Sequence, residues 1–215
     1  MKKWMAGFLA AICLSPIYSV HAQQGDAQAG SQKNAMCVGC HGIRGYHTGF
    51  PEVYRVPMLS GQGAGYIVSA LNDYKSGARK HPSMGTMALS LSDKDMADLG
   101  AYYESTGLTA EKPAQPIDVS VGASLVEKGG CVACHGQGLS KPIAPTYPKI
   151  AGQHSDYVYA ALRAYKTENK PQIGRNNPIM GGVVKQFSDK ELKEIARYVE
   201  SLPTTLQTIQ PNRFR

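Results

Sequence analysis

Tryptophan is nearly missing from this 215-residue chain: the single indole is Trp4, close to the N-terminus, so any core built by the rest is filled without one. Long apolar runs are missing too. The pronounced run extends from Trp4 to about Ile17 and contains Pro16, which leaves it short of the ~20 residues that cross a bilayer. Glycine (23 residues) and proline (13) are too scattered to make a low-complexity segment. With 42% hydrophobic and 18% charged residues the chain is neither fibrous nor disordered, and its length allows one large or two small domains.

The first 22 residues have the layout of a secretory signal peptide: Lys2 and Lys3, the apolar run, then Ser19-Val20-His21-Ala22 with small residues before a cut after Ala22. Cys13 is not read as a lipoprotein cysteine, because bulky Ile12 precedes it and the apolar run continues past it. The expected location is therefore the periplasm, without a transmembrane anchor. Of 23 Lys+Arg against 16 Asp+Glu, a formal charge of +7, two lysines leave with the signal, so the mature chain is mildly basic. That charge is compatible with peripheral adhesion to a membrane.

Cysteine is scarce and unevenly placed. Beyond Cys13 there are four, in Cys37-Val38-Gly39-Cys40-His41 and Cys131-Val132-Ala133-Cys134-His135. A disulfide framework would spread them, and a four-thiolate zinc site would leave both histidines unexplained. Thioredoxin-like redox motifs need flanking strand and crossover patterns that are absent here. Cys-x-x-Cys-His is the attachment pattern of c-type haem. Residues i and i+3 share one face of a helical turn, so both thiols reach one edge of a porphyrin, and the next histidine is placed to bind the iron. The expected cofactors are two covalently bound haem c groups.

The similarity of the two halves runs well beyond these pentapeptides. Pro57-Met58-Leu59-Ser60-Gly61-Gln62 matches Pro148-Lys149-Ile150-Ala151-Gly152-Gln153. Ile67, Ala70, Leu71 and Tyr74 match Val158, Ala161, Leu162 and Tyr165, at the i, i+3, i+4, i+7 spacing of a core-facing helical stripe. Met96, Leu99, Gly100 and Tyr103 match Leu192, Ile195, Ala196 and Val199, behind the caps Ser92-x-x-Asp95 and Ser188-x-x-Glu191. A repeat of this size is a domain. The expected organisation is a signal peptide at 1–22, one domain at 23–107, a linker at 108–118 with Pro113 and Pro116, a second domain at 119–203 and a mobile tail at 204–215. Each core is small for its length, so a buried porphyrin must supply the missing apolar mass, and neither domain is expected to fold without it.

One further match falls between the shared helices: His81-Pro82-Ser83-Met84-Gly85 against Asn177-Pro178-Ile179-Met180-Gly181. A loop methionine held beside proline and glycine suits the distal iron position, and closing both axial sites favours electron transfer over catalysis. Met36, Met58 and Met96 are read as core packing, and Met58 aligns with Lys149. Met87 competes with Met84, but its counterpart is Val183. His81 faces Asn177 in the repeat, and His47 and His154 are unmatched, so all three are read as ordinary histidines. The axial set is thus His41 with Met84 and His135 with Met180. Pro57 and Pro148 are the expected carbonyl acceptors that orient the histidines through their other ring nitrogen. Gln62, Gln153, Tyr66 and Tyr157 also recur and are weaker pocket candidates.

These residues make the chain resemble the dihaem cytochrome c4 family, over essentially the whole mature sequence. The resemblance implies an all-α fold of two tandem class I cytochrome c domains, His/Met-ligated haems whose propionates face a shared interface, and no enzymatic chemistry. It implies redox protein partners, an electron donor and a terminal oxidase or dehydrogenase; no nucleic-acid partner is expected, since the export signal and the haem motifs already account for the chain. A cytochrome subunit of a dehydrogenase complex is the alternative, and a haem enzyme would need an open axial site. The first repeat has a longer segment between His41 and Pro57, and the second has extra residues near Lys170 to Arg175. Charge is asymmetric as well, seven Lys/Arg against seven Asp/Glu in 23–110 but thirteen against seven in 119–215, which suggests that opposite faces dock different partners.

Overall fold

The computed structural model describes residues 24–112, 114, 117–167 and 170–210. The signal-peptide segment with its cut after Ala22, Cys13, Pro113, Pro116 and the last five residues lie outside the described residues.

The fold is helical and duplicated. The first half contains α1 (Ala27–Lys33), α2 (Ala35–His41), α3 (Ala64–Ser76), α4 (Pro82–Leu89) and α5 (Asp93–Ser105). The second contains α6 (Ser120–Lys128), α7 (Val132–His135), α8 (Ser155–Lys166), α9 (Pro178–Lys185) and α10 (Asp189–Ser201). In each half the first helix and the third pack on the last: α1 and α3 on α5, α6 and α8 on α10. Sequence explains the last helices directly. Ser92 and Ser188 both form complete capping boxes with Asp95 and Glu191, and Met96, Leu99, Gly100 and Tyr103, like Leu192, Ile195, Ala196 and Val199, are buried. The crossing of first and last helix needs glycine. A Cβ on Gly30 would stand 2.1 Å from the Asp98 carbonyl oxygen, and one on Gly122 would stand 2.3 Å from that of Glu194. Buried Asp98 reinforces the first crossing by accepting from the Asp26 N–H (2.8 Å), Lys33 (2.7 Å) and Lys94.

Two separate hydrophobic clusters result. Ile67, Leu91, Met96, Leu99 and Tyr103 make the first, and eleven residues centred on Leu139, Val184, Leu192 and Val199 make the larger second. Only Ile67 and Val158 of the α3 and α8 stripes enter these clusters as buried members; the remaining stripe residues line an adjoining cavity.

The two halves meet about a pseudo-twofold axis. Strand β3 (Arg79–Lys80) pairs antiparallel with β4 (Gly174–Arg175), Arg79 opposite Arg175. The Gln62 side chain bonds the backbone of Lys149, donating to its carbonyl (2.9 Å) and accepting from its N–H (2.9 Å). Gln153 does the same to Met58 (3.0 and 3.1 Å). The long segment of the first repeat folds as a hairpin of β1 (His47–Thr48) and β2 (Tyr54–Arg55), clasped to the second half by Arg55 on Asp156 (3.0 Å) and Glu200 (2.8 Å) and by Arg163 on Glu52 (2.8 Å).

Two expectations need correction. Residues 204–210 are not a mobile tail: Thr204 and Leu206 are buried, Thr204 and Thr205 accept from the N–H groups of Lys112 and Leu108, and Gln207 donates to the Ser60 carbonyl. A fully buried leucine with its flanking backbone paired holds the strap down. Met36 is not core either, being 48% exposed beside the cavity. Met58 and Met96 are buried as expected.

Candidate haem sites

One cavity of about 620 Å³ runs through both halves. Close-packed domains contain few voids larger than a water, so a space of this size, walled mostly by apolar side chains, marks a place for a large ligand. Cys37, Cys40, His41 and Met84 line it from the first half, and Cys131, Cys134, His135 and Met180 from the second. All eight residues singled out by motif and repeat therefore converge on one space. The four cysteines stand as separate thiols. Among the described residues no three of His, Cys, Asp and Glu converge as a metal cage, which a zinc site would require.

The turns that present these groups follow from local sequence. Cys37, Cys40 and His41 lie on the short helix α2, and Cys134 and His135 lie on α7 with Cys131 as its N-cap, so each pair of cysteines is presented one turn apart with the histidine next in line. His41 Nδ1 lies 2.9 Å from the Pro57 carbonyl oxygen, and His135 Nδ1 lies 2.9 Å from that of Pro148. A ring N–H donating to a carbonyl fixes the tautomer and leaves Nε2 with its lone pair free. Burial pushes both imidazoles below the ordinary histidine pKa, which keeps them neutral and able to bind a metal.

Met84 and Met180 are not on loops. Each is the third residue of a helix, α4 or α9, that opens with proline. The residue before that proline is the cap: Asn177 Oδ1 accepts from the Met180 N–H (3.0 Å), and His81 Nδ1 accepts from the Met84 N–H (3.4 Å). His81 and Asn177, which look unmatched by residue type, thus do the same work. Met87 also lines the cavity, one turn beyond Met84. His47 is exposed and His154 faces Glu200 at 3.8 Å, and neither lines the cavity. Gln62 and Gln153 reach the cavity wall, but their amides are spent on the domain contact described above.

Sequence reasoning missed a pair of arginines. Arg79 packs over the rings of Tyr66 and Tyr74 (5.6 and 5.3 Å to the centroids), and Arg175 over Tyr157 and Tyr165 (5.5 and 5.4 Å). Each donates to a phenol, Arg79 to Tyr66 (3.3 Å) and Arg175 to Tyr157 (3.1 Å). Burial pushes the Tyr66 hydroxyl up to about 12, so it stays protonated. The signal was present: Arg-x-His-Pro at 79–82 matches Arg-x-Asn-Pro at 175–178, and all four tyrosines recur between repeats.

The comparisons with known proteins agree with this geometry. The family model for cytochrome c matches residues 27–107 and 119–203. Cytochrome c4 of Pseudomonas aeruginosa is 30% identical over 94% of this chain and its own full length. The chain belongs to the cytochrome c4 family. The crystal structure of reduced cytochrome c4 from Pseudomonas stutzeri superposes with a TM-score of 0.67 at 31% identity, covering 83% of this chain and 99% of that one. A Stutzerimonas stutzeri protein named thiosulfate dehydrogenase electron acceptor is 31% identical over 91% of this chain and 93% of its own.

Membership makes the chain an electron-transfer cytochrome of two tandem domains with two covalent haem c groups. The residues present fit that cofactor. Two thiol pairs, each at helical i, i+3 spacing, two histidines of fixed tautomer and two methionines face one apolar cavity, and nothing in its lining is a carboxylate except Asp73. Among the described residues no helix is long and apolar enough to cross a membrane.

Proposed function

We propose that this is an exported, soluble electron carrier with two closed haem sites. Cys37 and Cys40 bind the first haem through thioethers, with His41 and Met84 on its iron; Cys131 and Cys134 bind the second, with His135 and Met180 on its iron. When bound, the haems supply two one-electron Fe(III)/Fe(II) couples. The protein's own part is to hold, orient and shield them: the Pro57 and Pro148 carbonyls aim the histidines, the His81-Pro82 and Asn177-Pro178 caps fix the helical turns that carry the methionines, and the apolar walls exclude water. The observation that carries this reading is the meeting of Cys, Cys, His and Met from each repeat on one cavity.

With a histidine and a methionine from each half offered as ligands, bound haem irons would be closed to a substrate, which supports a carrier without enzymatic activity. Export through residues 1–22 into the periplasm supports the same reading, since thioether attachment belongs to that compartment. The relative named as an electron acceptor of thiosulfate dehydrogenase supports a dehydrogenase as one class of donor. The chain then passes electrons to a respiratory acceptor, and the basic second half serves as one docking face.

The test is the far-red methionine-to-iron(III) charge-transfer band of the oxidised protein. Wild type shows it for both haems, and Met84→Ala and Met180→Ala each remove about half. A band unchanged in either variant strikes that methionine as a ligand, and a wild-type band worth only one haem opens the other haem to substrate.

A further inference from the structure

The last helix of the first half carries a polar atom with nothing to bond. Tyr103 on α5 is 6% exposed, and its hydroxyl is buried without a hydrogen-bond partner among the described residues. Such an orphan is destabilising, so buried hydroxyls in folded proteins are nearly always paired. Tyr103 lines the cavity, and so does Cys37, which packs against the cluster that Tyr103 forms with Ile67, Leu91, Met96 and Leu99. The aliphatic members of that cluster offer no acceptor, and the Met96 sulfur makes no bond to the hydroxyl. Burial pushes the phenol well above its ordinary pKa, so it keeps a proton to donate. Cys37 stands beside it: the hydroxyl draws the thiol down against the upward push of burial, although the two lack hydrogen-bond geometry. As a thiol, Cys37 has an S–H of its own and matches a second donor poorly; as a thioether its sulfur has lost that proton and can only accept. In the second half Val199 takes the place of Tyr103, in the cluster against which Cys131 packs.

We infer that the Tyr103 hydroxyl donates to the Cys37 sulfur once that sulfur is a thioether, and thereby sets the first haem apart from the second. This rests on the reading that haem is attached at Cys37. Tyr103 is a positioning residue, acting on the haem through the sulfur. The O–H dipole turns its positive end toward the thioether edge, where it favours the electron-richer ferrous state, so the hydroxyl raises the first haem's potential. Val199 carries no such dipole, and the second haem is unaffected.

The experiment uses the haem-loaded protein. Peptide mass mapping comes first: a Cys37 peptide without haem refutes the attachment reading itself, and this inference falls with it. Both midpoint potentials are then read by spectroelectrochemical titration in wild type, Tyr103→Phe and Tyr102→Phe, the first haem being the one displaced by Met84→Ala or Cys37→Ala. Tyr103→Phe keeps the ring and removes the donor alone. The expected result is a shift of the first haem's one-electron equilibrium toward the ferric state by about threefold (~28 mV lower), with the second haem unchanged and a lower melting temperature. Tyr102→Phe, which loses a neighbouring hydroxyl outside the cavity lining, should leave both potentials in place. Unchanged potentials in Tyr103→Phe overturn the inference; if the melting temperature also rises, the hydroxyl is unpaired in the loaded protein. Equal falls at both haems overturn it as well. Cys37→Ala, with the first haem held through Cys40 alone, locates the acceptor. In that background Tyr103→Phe should move neither potential, and an undiminished fall places the hydroxyl's partner elsewhere and overturns the inference. If Cys37→Ala does not load, the potentials of Tyr103→Phe decide by themselves.

Discussion

The two glutamines at the domain contact give a prediction whose size follows from the hydrogen bonds. Gln153, 5% exposed, satisfies both backbone groups of buried Met58 (3.0 and 3.1 Å) and the N–H of His154 (3.0 Å). Gln153→Leu conserves volume, so little cavity is made, but it strands the Met58 N–H and C=O. At ~1–3 kcal/mol per stranded buried group, the expected loss is about 2–6 kcal/mol. Gln62 makes the same bonds to Lys149, which is only half-buried, so water replaces part of them and Gln62→Leu should cost about 1–3 kcal/mol. The assay is denaturant unfolding of the haem-loaded protein. Because both locks close one contact, the double variant should lose less than the sum and its unfolding should split into two transitions. A loss below about 0.5 kcal/mol for Gln153→Leu, or a larger loss for Gln62→Leu, would refute the reasoning.

Other consequences are open to direct measurement. Burial raises the Asp156 and Glu200 carboxyls, but bonds to Arg55 more than offset this and hold both below their ordinary values. A depressed carboxyl stabilises above its unfolded pKa of about 4 and loses that stabilisation as pH falls below it, so the stability gap between wild type and Arg55→Gln should close on acidification through pH ~4. An equal gap at pH 7 and pH 3 would show that Arg55 acts by packing alone. Gly30→Ala and Gly122→Ala set a methyl against backbone at 2.1 and 2.3 Å and should lower the melting temperature, with a cost of at least ~1–3 kcal/mol, while Gly182→Ala, which meets nothing within 4 Å, should be neutral or stabilising.

Much of the site was legible because haem attachment fixes residue type and spacing within five residues, and because duplication supplies an internal control. Both Cys-x-x-Cys-His segments, both methionines and the Pro57 and Pro148 carbonyls could be named from matches alone. Features that depend on partners distant in sequence were not visible. Nothing in Gln62 or Gln153 indicates that its amide crosses to the other repeat, and nothing in Leu206 indicates a burial site. The cap shared by His81 and Asn177 was hidden for a different reason: both side chains offer a lone pair to the same N–H, so the function is conserved between repeats while the residue type is not. Arg79 and Arg175 match plainly, yet only the ladder shows that they face each other.

The strap formed by residues 204–210 shows how unequal the two halves are. The first half buries five residues in its cluster and the second eleven, so the first depends more on contacts from outside itself. Several of these come from the far end of the chain: Gln207 bonds Ser60 (3.0 Å) and, through its side chain, the Thr106 carbonyl (2.9 Å), while Leu108 and Lys112, which continue the chain from the first half, donate to the Thr205 and Thr204 carbonyls (2.9 and 2.8 Å) beside Leu206, itself 1% exposed. Truncation after Pro203 removes a buried leucine, worth ~2–5 kcal/mol when lost with its cavity, and frees the end of α5. The damage should therefore appear in the first half, although the cut adjoins the second. Native-state hydrogen exchange should show the Leu108 and Lys112 amides losing protection first, with the α10 amides close to wild type. Faster exchange in α10 than in α5 would mean that the strap serves the domain it follows in sequence rather than the one it crosses.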